Sequence, residues 1–358
     1  MAIGKRGIIF SFMALLAIGL ILFILLPQET ELSLDRANVV KSRIQAADEY
    51  VQSIREVYLP GMLRVSSFKT LNALSVYTGI QKRSFLDKAK FTRAFEEVLL
   101  NGTVDGTDIN TIIPAGIYDK NLTRLMQDLQ NASNRSLLII TDFNFKSARV
   151  DIYQANATLG KIIGPWQVAV NFTINYSITT EAAQWNRTDS IVSIFSIEGL
   201  PDPLYLASTG GVYSNTIRKT KNSTFNLESF KTFRMNSSYS YENSSPSFLS
   251  RYYNDTHIPA DGCCGIESFV NETINEYFSP LWLPDGEFNG SFVDCNYFGG
   301  ECTDDLGLPP YIPNILNQTY YVAGITIAGY KFKIDQYRAY AKYNLTPCNG
   351  GTCTGTGS

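Results

Sequence analysis

The sequence predicts an α+β protein. A single N-terminal transmembrane helix continues into a helical stalk; a mostly antiparallel β-sheet domain and a disulfide-containing C-terminal region follow. Three observations carry this. The first is an uncharged apolar run from Ile8 to Leu26. The second is a change in hydrophobic period, from about 3.5 before residue 136 to two after residue 137. The third is the confinement of all six cysteines to positions 263 and beyond.

The elements follow in chain order. Residues 1–7 form a basic leader with Lys5 and Arg6. The apolar run at 8–26 holds nineteen residues. As a helix these reach about 28 Å, close to the thickness of a bilayer's hydrocarbon core. Cations precede the run and Glu29, Glu31 and Asp35 follow it. Cations favour the cytoplasmic side, so the chain after Leu26 is expected outside, with the lipid bilayer as partner of residues 8–26.

Residues 27–136 read as a helical stalk. Ala37, Val40, Ile44, Ala47, Val51, Ile54 and Tyr58 recur at steps of three and four. That is a narrow seam suited to packing on one or two other helices, in the same chain or in another copy. Pro60-Gly61 is expected to break this rod. A second helix places Phe68, Leu71 and Leu74 on one face and closes near Gly79. A third starts at Ser84, with Asp87 three residues on, and stops at Asn101-Gly102. A fourth, around 119–131, aligns Leu122, Leu125, Met126 and Leu129.

Residues 137–215 read as an antiparallel β domain. In "WQVAVNFTINYSI", Trp166, Val168, Val170, Phe172, Ile174, Tyr176 and Ile178 alternate with mainly polar residues, as in a strand with one apolar face. "SIVSIFSI" reads as a shorter, more buried strand, and "LLIITDFNFKSARVDIY" supplies one or two more. Residues 216–345 form a loop-rich α+β region, and 346–358 a flexible tail. The Ser-, Asn- and Tyr-rich stretch 199–260 is expected to be a long connection with little core. "CCGIESFVNETINEYF" suggests a short helix, and "TYYVAGITIAGYKFKIDQY" two strands meeting near Ala328-Gly329.

Composition points to export. Asn-x-Ser/Thr, with x not proline, is the acceptor pattern for N-glycans. The chain carries it at Asn101, Asn121, Asn131, Asn134, Asn156, Asn171, Asn175, Asn186, Asn222, Asn236, Asn243, Asn254, Asn271, Asn289, Asn317 and Asn344. Chance at this asparagine and Ser/Thr content gives roughly four such sites. The excess predicts covalent N-glycans on an extracellular chain. The even cysteine set, Cys263, Cys264, Cys295, Cys302, Cys348 and Cys353, reads as disulfides of an oxidising compartment. "CNGGTC" is a loop that a Cys348–Cys353 bridge would close. Cys263 and Cys264 are expected to reach Cys295 and Cys302 rather than each other. Six cysteines allow fifteen pairings, so connectivity stays open.

The start "GKRG" with its apolar run resembles the class III signal of archaeal type IV pilin-like proteins. In that family a peptidase cuts on the cytoplasmic side, just before the hydrophobic stretch, which places the cut here between Gly7 and Ile8. Phe12 stands at the fifth mature position, where many pilins carry glutamate. The stretches "PWQVAVNFTINYSI", "IEGLPDPLY", "SFLSR" and "GIESFVN" also resemble an uncharacterised set of archaeal membrane-anchored surface glycoproteins. These resemblances imply a structural role as a subunit or minor component of a type IV pilus-like filament, assembled through the helical stalk. The alternative is a monomeric, membrane-anchored surface receptor or adhesin. The chain would sit in the cell membrane with its C-terminal domain outside, or in an extracellular filament after leader cleavage.

No enzyme is expected. The lone histidine, His257, lies in a loop-like stretch, and no G-x-S-x-G surrounds any serine. An ectodomain hydrolase built on acid pairs such as Asp304-Asp305, or on Asp294 with Glu301, ranks last. No cofactor or metal is expected: one histidine without C-x-x-C spacing makes a poor zinc site, although "DCNYFGGECTDD" groups oxygen donors that leave calcium conceivable. A net charge of −3 gives no footprint for nucleic acid.

Overall fold

A computed structural model describes residues 39–135, 142–156, 161–179, 184–211, 214–221, 232, 236–241, 245–255, 263–268, 320–327, 330–334 and 347–348. The helices are α1 (39–53), α2 (Leu59–Gln81), α3 (Lys88–Asn101), α4 (Leu122–Arg135) and α5 (Pro203–Thr209). The strands are β1 (Thr103–Val104), β2 (Thr107–Asp108), β3 (Asp142–Tyr153), β4 (Ala155–Asn156), β5 (Lys161–Ile162), β6 (Gln167–Thr179), β7 (Gln184–Ser196), β8 (Tyr239–Tyr241), β9 (Ile266–Ser268), β10 (Tyr320–Ile327), β11 (Tyr330–Ile334) and β12 (Pro347–Cys348). Small sheets have the orders β1-β2, β4-β5, β8-β9 and β11-β10-β12, and the main one is β3-β6-β7. The two strands expected around Ala328-Gly329 are present as the antiparallel pair β10–β11.

The expected transmembrane helix running into a stalk is corrected. Among the described residues, no helix is long and apolar enough to cross a membrane. The longest described helix, α2, buries Ser66, Ser67, Thr70, Ser75 and Thr78 and carries Arg64 and Lys69. The run 8–26, with Gly7 and Ile8, lies outside the described residues.

The chain divides into two compact units that interleave in sequence. The first comprises residues 1–58, 129–147 and 175–188. Within it α1 buries Ala47 and Val51, and Ile54 in the following π turn is also covered. The Tyr50 hydroxyl is hydrogen-bonded to Ser133. Trp185 Nε1 donates to Asp48 Oδ1 at 3.2 Å, and Arg187 lies 3.9 Å from the same oxygen. The seam continues only in part, since Val40, Ile44 and Tyr58 are exposed.

The second unit comprises residues 59–128, 148–174 and 189–358. Pro60-Gly61 does not break a helix here. The helical run is unbroken from 39 to 81, and a wider turn accommodates the missing proline N–H at the start of α2. A π turn, Ile54–Tyr58, immediately precedes it. The α3 start is also shifted: Asp87, not Ser84, is the N-cap, its side chain accepting from Lys90 N at 2.7 Å. Gly102, at φ 76°, ends α3 in the left-handed conformation, as the Asn-Gly pair indicates.

β6 follows its sequence pattern, with Val168, Val170, Phe172 and Ile174 buried. β7 is longer and less buried than expected: Asp189, Ile191, Ser193 and Phe195 point inward, while Val192 and Ile194 are exposed. α2 covers the inner side, with Phe68 edge-on to Phe195 and Ser193 donating to the Pro60 carbonyl.

The stretch 199–260 is not a coreless connection. It supplies Leu200, Leu204, Tyr205, Ile217, Tyr239, Phe248 and Tyr252 to the core. α5 packs so closely on α2 that a Cβ on Gly79 would lie 3.3 Å from Leu206 Cβ, and 3.2 Å from Gly211 Cα just past the end of α5. The start of "CCGIESFVNETINEYF" is strand β9, antiparallel to β8, rather than helix.

Candidate functional site

Two features of the second unit carry concentrated polar chemistry, and they differ in access to solvent. The first is a sealed cluster. Asp202 caps α5 by accepting from Leu204 N at 3.0 Å. Its other oxygen accepts from Tyr239 Oη at 2.9 Å and from an Arg251 guanidinium nitrogen at 2.6 Å. Arg251 also donates to the Ile266 carbonyl and lies over the Tyr239 ring at 5.7 Å. Asp202 and Arg251 have no exposed side-chain surface, so they hold the fold together and meet no ligand. Beside them Tyr252 stacks on Phe91 with centroids 4.6 Å apart, and its hydroxyl donates to the Leu71 carbonyl at 2.9 Å. Burial pushes the Tyr252 phenol far above its ordinary range, with Ser75 opposing and Asp202 adding to the shift.

The second feature is an open cleft of about 310 Å³ between the end of α2, the 82–87 turn and α3. The turn is held by Arg83 N donating to the Thr78 carbonyl and Phe85 N to the Tyr252 carbonyl. Tyr77 and Phe85 stack at 6.0 Å in the wall, both half-buried. Arg83, Lys90 and Arg93 line the cleft and are exposed. Among the described residues, none of these three takes part in a salt bridge.

Glu97 closes one side. It accepts from Gly106 N at 2.7 Å, Thr103 Oγ1 at 2.8 Å and Asp105 N at 3.2 Å, which ties the β1–β2 turn to α3. Partial burial raises its pKa, but the bonds from Gly106, Thr103 and Asp105 and the Arg93 charge outweigh that and leave it below the usual carboxylate value. The Tyr77 phenol is raised, first by burial and then by Asp105, with Arg83 opposing. The sequence reading missed this cleft. Its one local signal is "VDGT", where Asp105 and Gly106 take positive φ (48° and 77°), as a tight Asp-Gly hairpin turn requires.

The sequence-predicted residues are scattered. Of the sixteen sequons, Asn101, Asn131, Asn186, Asn236 and Asn254 are exposed, and Asn121, Asn171 and Asn175 are half-buried. Asn121 caps α4 by accepting from Arg124 N at 2.7 Å, and Asn171 Oδ1 accepts from Ser190 at 2.8 Å. Asn134 and Asn156 lie in α4 and β4, and their side chains are outside the described set. Asn222, Asn243, Asn271, Asn289, Asn317 and Asn344 lie outside the described residues, as do His257, Asp294, Glu301, Asp304, Asp305, Cys295, Cys302 and Cys353.

The cysteine expectation is corrected at one point. Cys263 and Cys264 are bonded to each other rather than to distant partners. The pair is buried, and the Cys264 sulfur lies 3.7 Å from the Gln154 carbonyl oxygen. Cys348 ends β12, which pairs with β10. Among the described residues, no group of three histidine, cysteine or acidic side chains is placed to hold a metal ion. Compared with known proteins, the chain matches no family model, no curated protein and no solved structure.

Proposed function

We propose that this chain is a structural cell-surface glycoprotein, working as a subunit or minor component of a pilus-like filament. The observation that carries the reading is the sequon set: sixteen sites in sequence, with all eight described side chains exposed or half-buried. A glycan needs its asparagine amide at the surface, and a cytoplasmic chain has no use for a fourfold excess of acceptor sites. Assembly is supported by the helical seam. Ala47, Val51 and Ile54 are covered within their own unit, whereas Val40 and Ile44 are left exposed, with Val39 beside them at 52 %. A second copy of the chain would bury that stripe.

Electron microscopy of sheared cell-surface material, labelled with antibody to this chain, tests the assembly. Labelled filaments are expected, and label confined to monomeric material would reject it. Peptide mapping of the native protein tests the glycans. Modified Asn101, Asn131, Asn186, Asn236 and Asn254 are expected, and five bare asparagines would reject the surface glycoprotein. A surface receptor or adhesin is the second reading, favoured by the open cleft with its three cations.

A further inference from the structure

We propose that the cleft between the end of α2 and α3 binds an acidic saccharide, meaning a ring sugar bearing a carboxylate or sulfate. Charge is the first argument. Arg83, Lys90 and Arg93 converge on one cleft with no salt bridge among the described residues. Two acids share the lining: Glu97 is committed to the β1–β2 turn through three hydrogen bonds, and Asp105 sits on that turn, so three cations face two acids. Clustered like charges repel one another, and an anion in the cleft relieves that repulsion. The arginine fork matches a carboxylate or sulfate with paired N–H donors.

Shape and polarity narrow the class. A volume of about 310 Å³ suits one or two sugar rings better than a folded partner. The half-buried rings of Tyr77 and Phe85 offer an apolar wall for the C–H face of a pyranose, and Gln81 lines the same space with an amide able to bond hydroxyls. A bare inorganic anion would use the cations and leave this wall empty. The inference goes beyond the filament reading and does not depend on it, because binding is measured on the dispersed chain.

The source is either a saccharide from outside or an acidic glycan on this protein. Asn101 lies one helical turn beyond Glu97, so a sugar there starts beside the cleft.

The test is titration calorimetry on the intact, oxidised glycoprotein, with a hyaluronan hexasaccharide and a heparin tetrasaccharide as acidic probes. Cellohexaose and sodium sulfate are the neutral and plain-anion controls. At least one acidic probe is expected to bind and to weaken as sodium chloride rises. The double variant Arg83→Ala/Arg93→Ala, whose side chains are exposed, should keep its circular dichroism and lose about tenfold or more in affinity. Asn101→Gln identifies the source: tighter probe binding marks the chain's own glycan as occupant, and unchanged binding marks a ligand from outside. Failure of both acidic probes on wild type and Asn101→Gln overturns the proposal. So does equal binding of cellohexaose, displacement by sulfate at the saccharide's own concentration, or unchanged affinity in the double variant.

Discussion

Arg251→Met should be among the most damaging single substitutions in the second unit. The guanidinium donates to Asp202 at 2.6 Å and to the Ile266 carbonyl, and both charged side chains are fully buried. Methionine fills much of the volume but leaves the Asp202 carboxylate out of water without its counter-charge. Tyr239 Oη and Leu204 N still donate to it. Breaking a buried pair from one side costs about 3–5 kcal/mol, a large share of a domain's typical 5–15 kcal/mol. For a unit of this size that lowers the melting temperature by about 6–20 °C. Differential scanning calorimetry of the purified protein measures the loss. The double variant Asp202→Asn/Arg251→Met keeps an oxygen to accept from Leu204 N, turns an amide N–H toward Tyr239 Oη as acceptor, and removes the stranded charge. It should therefore be more stable than the single variant. The exposed pair Lys69–Asp119 is the control, since Lys69→Met should cost about 0–1 kcal/mol. Arg251→Met within about 1 kcal/mol of wild type, or a double variant no better than the single, would refute the reasoning.

Three further outcomes are expected. In α2, Gly61→Ala should stabilise by about 0.5–1 kcal/mol, because nothing lies within 4 Å of the added methyl. Gly79→Ala should destabilise instead, since its Cβ would meet Gly211 Cα at 3.2 Å and Leu206 Cβ at 3.3 Å; urea unfolding reads both, and equal gains would deny the close α2–α5 approach. The Glu97 shift is downward in the folded chain, so its contribution is present above the ordinary value of 4.5 and is lost as pH falls through the lower folded value. The Gly106 amide resonance should thus titrate with a midpoint below 4.5, and a midpoint at or above it counts against the Glu97 contacts. Finally, N-terminal peptides of the native protein should begin at Ile8, whereas a start at Met1 or Ala2 would remove the pilin-like processing.

What could be read from the sequence was what apolar periodicity and end signals encode. The alternation of β6 is strong because half its residues are large and apolar, and Gly102 ends α3 because a left-handed φ suits glycine. α2 was legible only on its leucine side. Its second buried face is built from Ser66, Ser67, Thr70, Ser75, Thr78 and Gly79, which a hydrophobic pattern counts as solvent-facing. Small side chains there let α5 approach closely, and that advantage exists only once α5 is in place. The stretch 199–260 was misread for a similar reason. Its core mixes scattered aliphatic residues with tyrosines and an ion pair whose partners lie 49 residues apart, so no local window reveals that Arg251 is buried. The cleft depends on a turn, a helix end and a hairpin meeting in space, and only the Asp-Gly pair marks any part of it locally.

Three stretches far apart in sequence meet at the Arg251 cluster. "IEGLPDPLY" contributes Asp202 and Tyr205, "SFLSR" contributes Arg251, and "GIESFVN" contributes the Ile266 carbonyl and Ser268, whose hydroxyl is bonded to Tyr205. "PWQVAVNFTINYSI" touches only the first of these, where the Trp166 carbonyl accepts from Ile197 N at 3.0 Å. A buried arginine has few tolerable surroundings: it needs a carboxylate, a carbonyl and an aromatic face at fixed positions, or the charge is stranded. Segments distant in sequence are therefore bound to one another through a single side chain, and changing one without the others destabilises the unit. The cleft residues Arg83, Lys90 and Arg93 belong to none of these stretches. They sit on an exposed turn and helix face, where a substitution leaves the cluster intact. The buried cluster thus holds the scaffold together, and the proposed saccharide site rests on exposed side chains that stand apart from it.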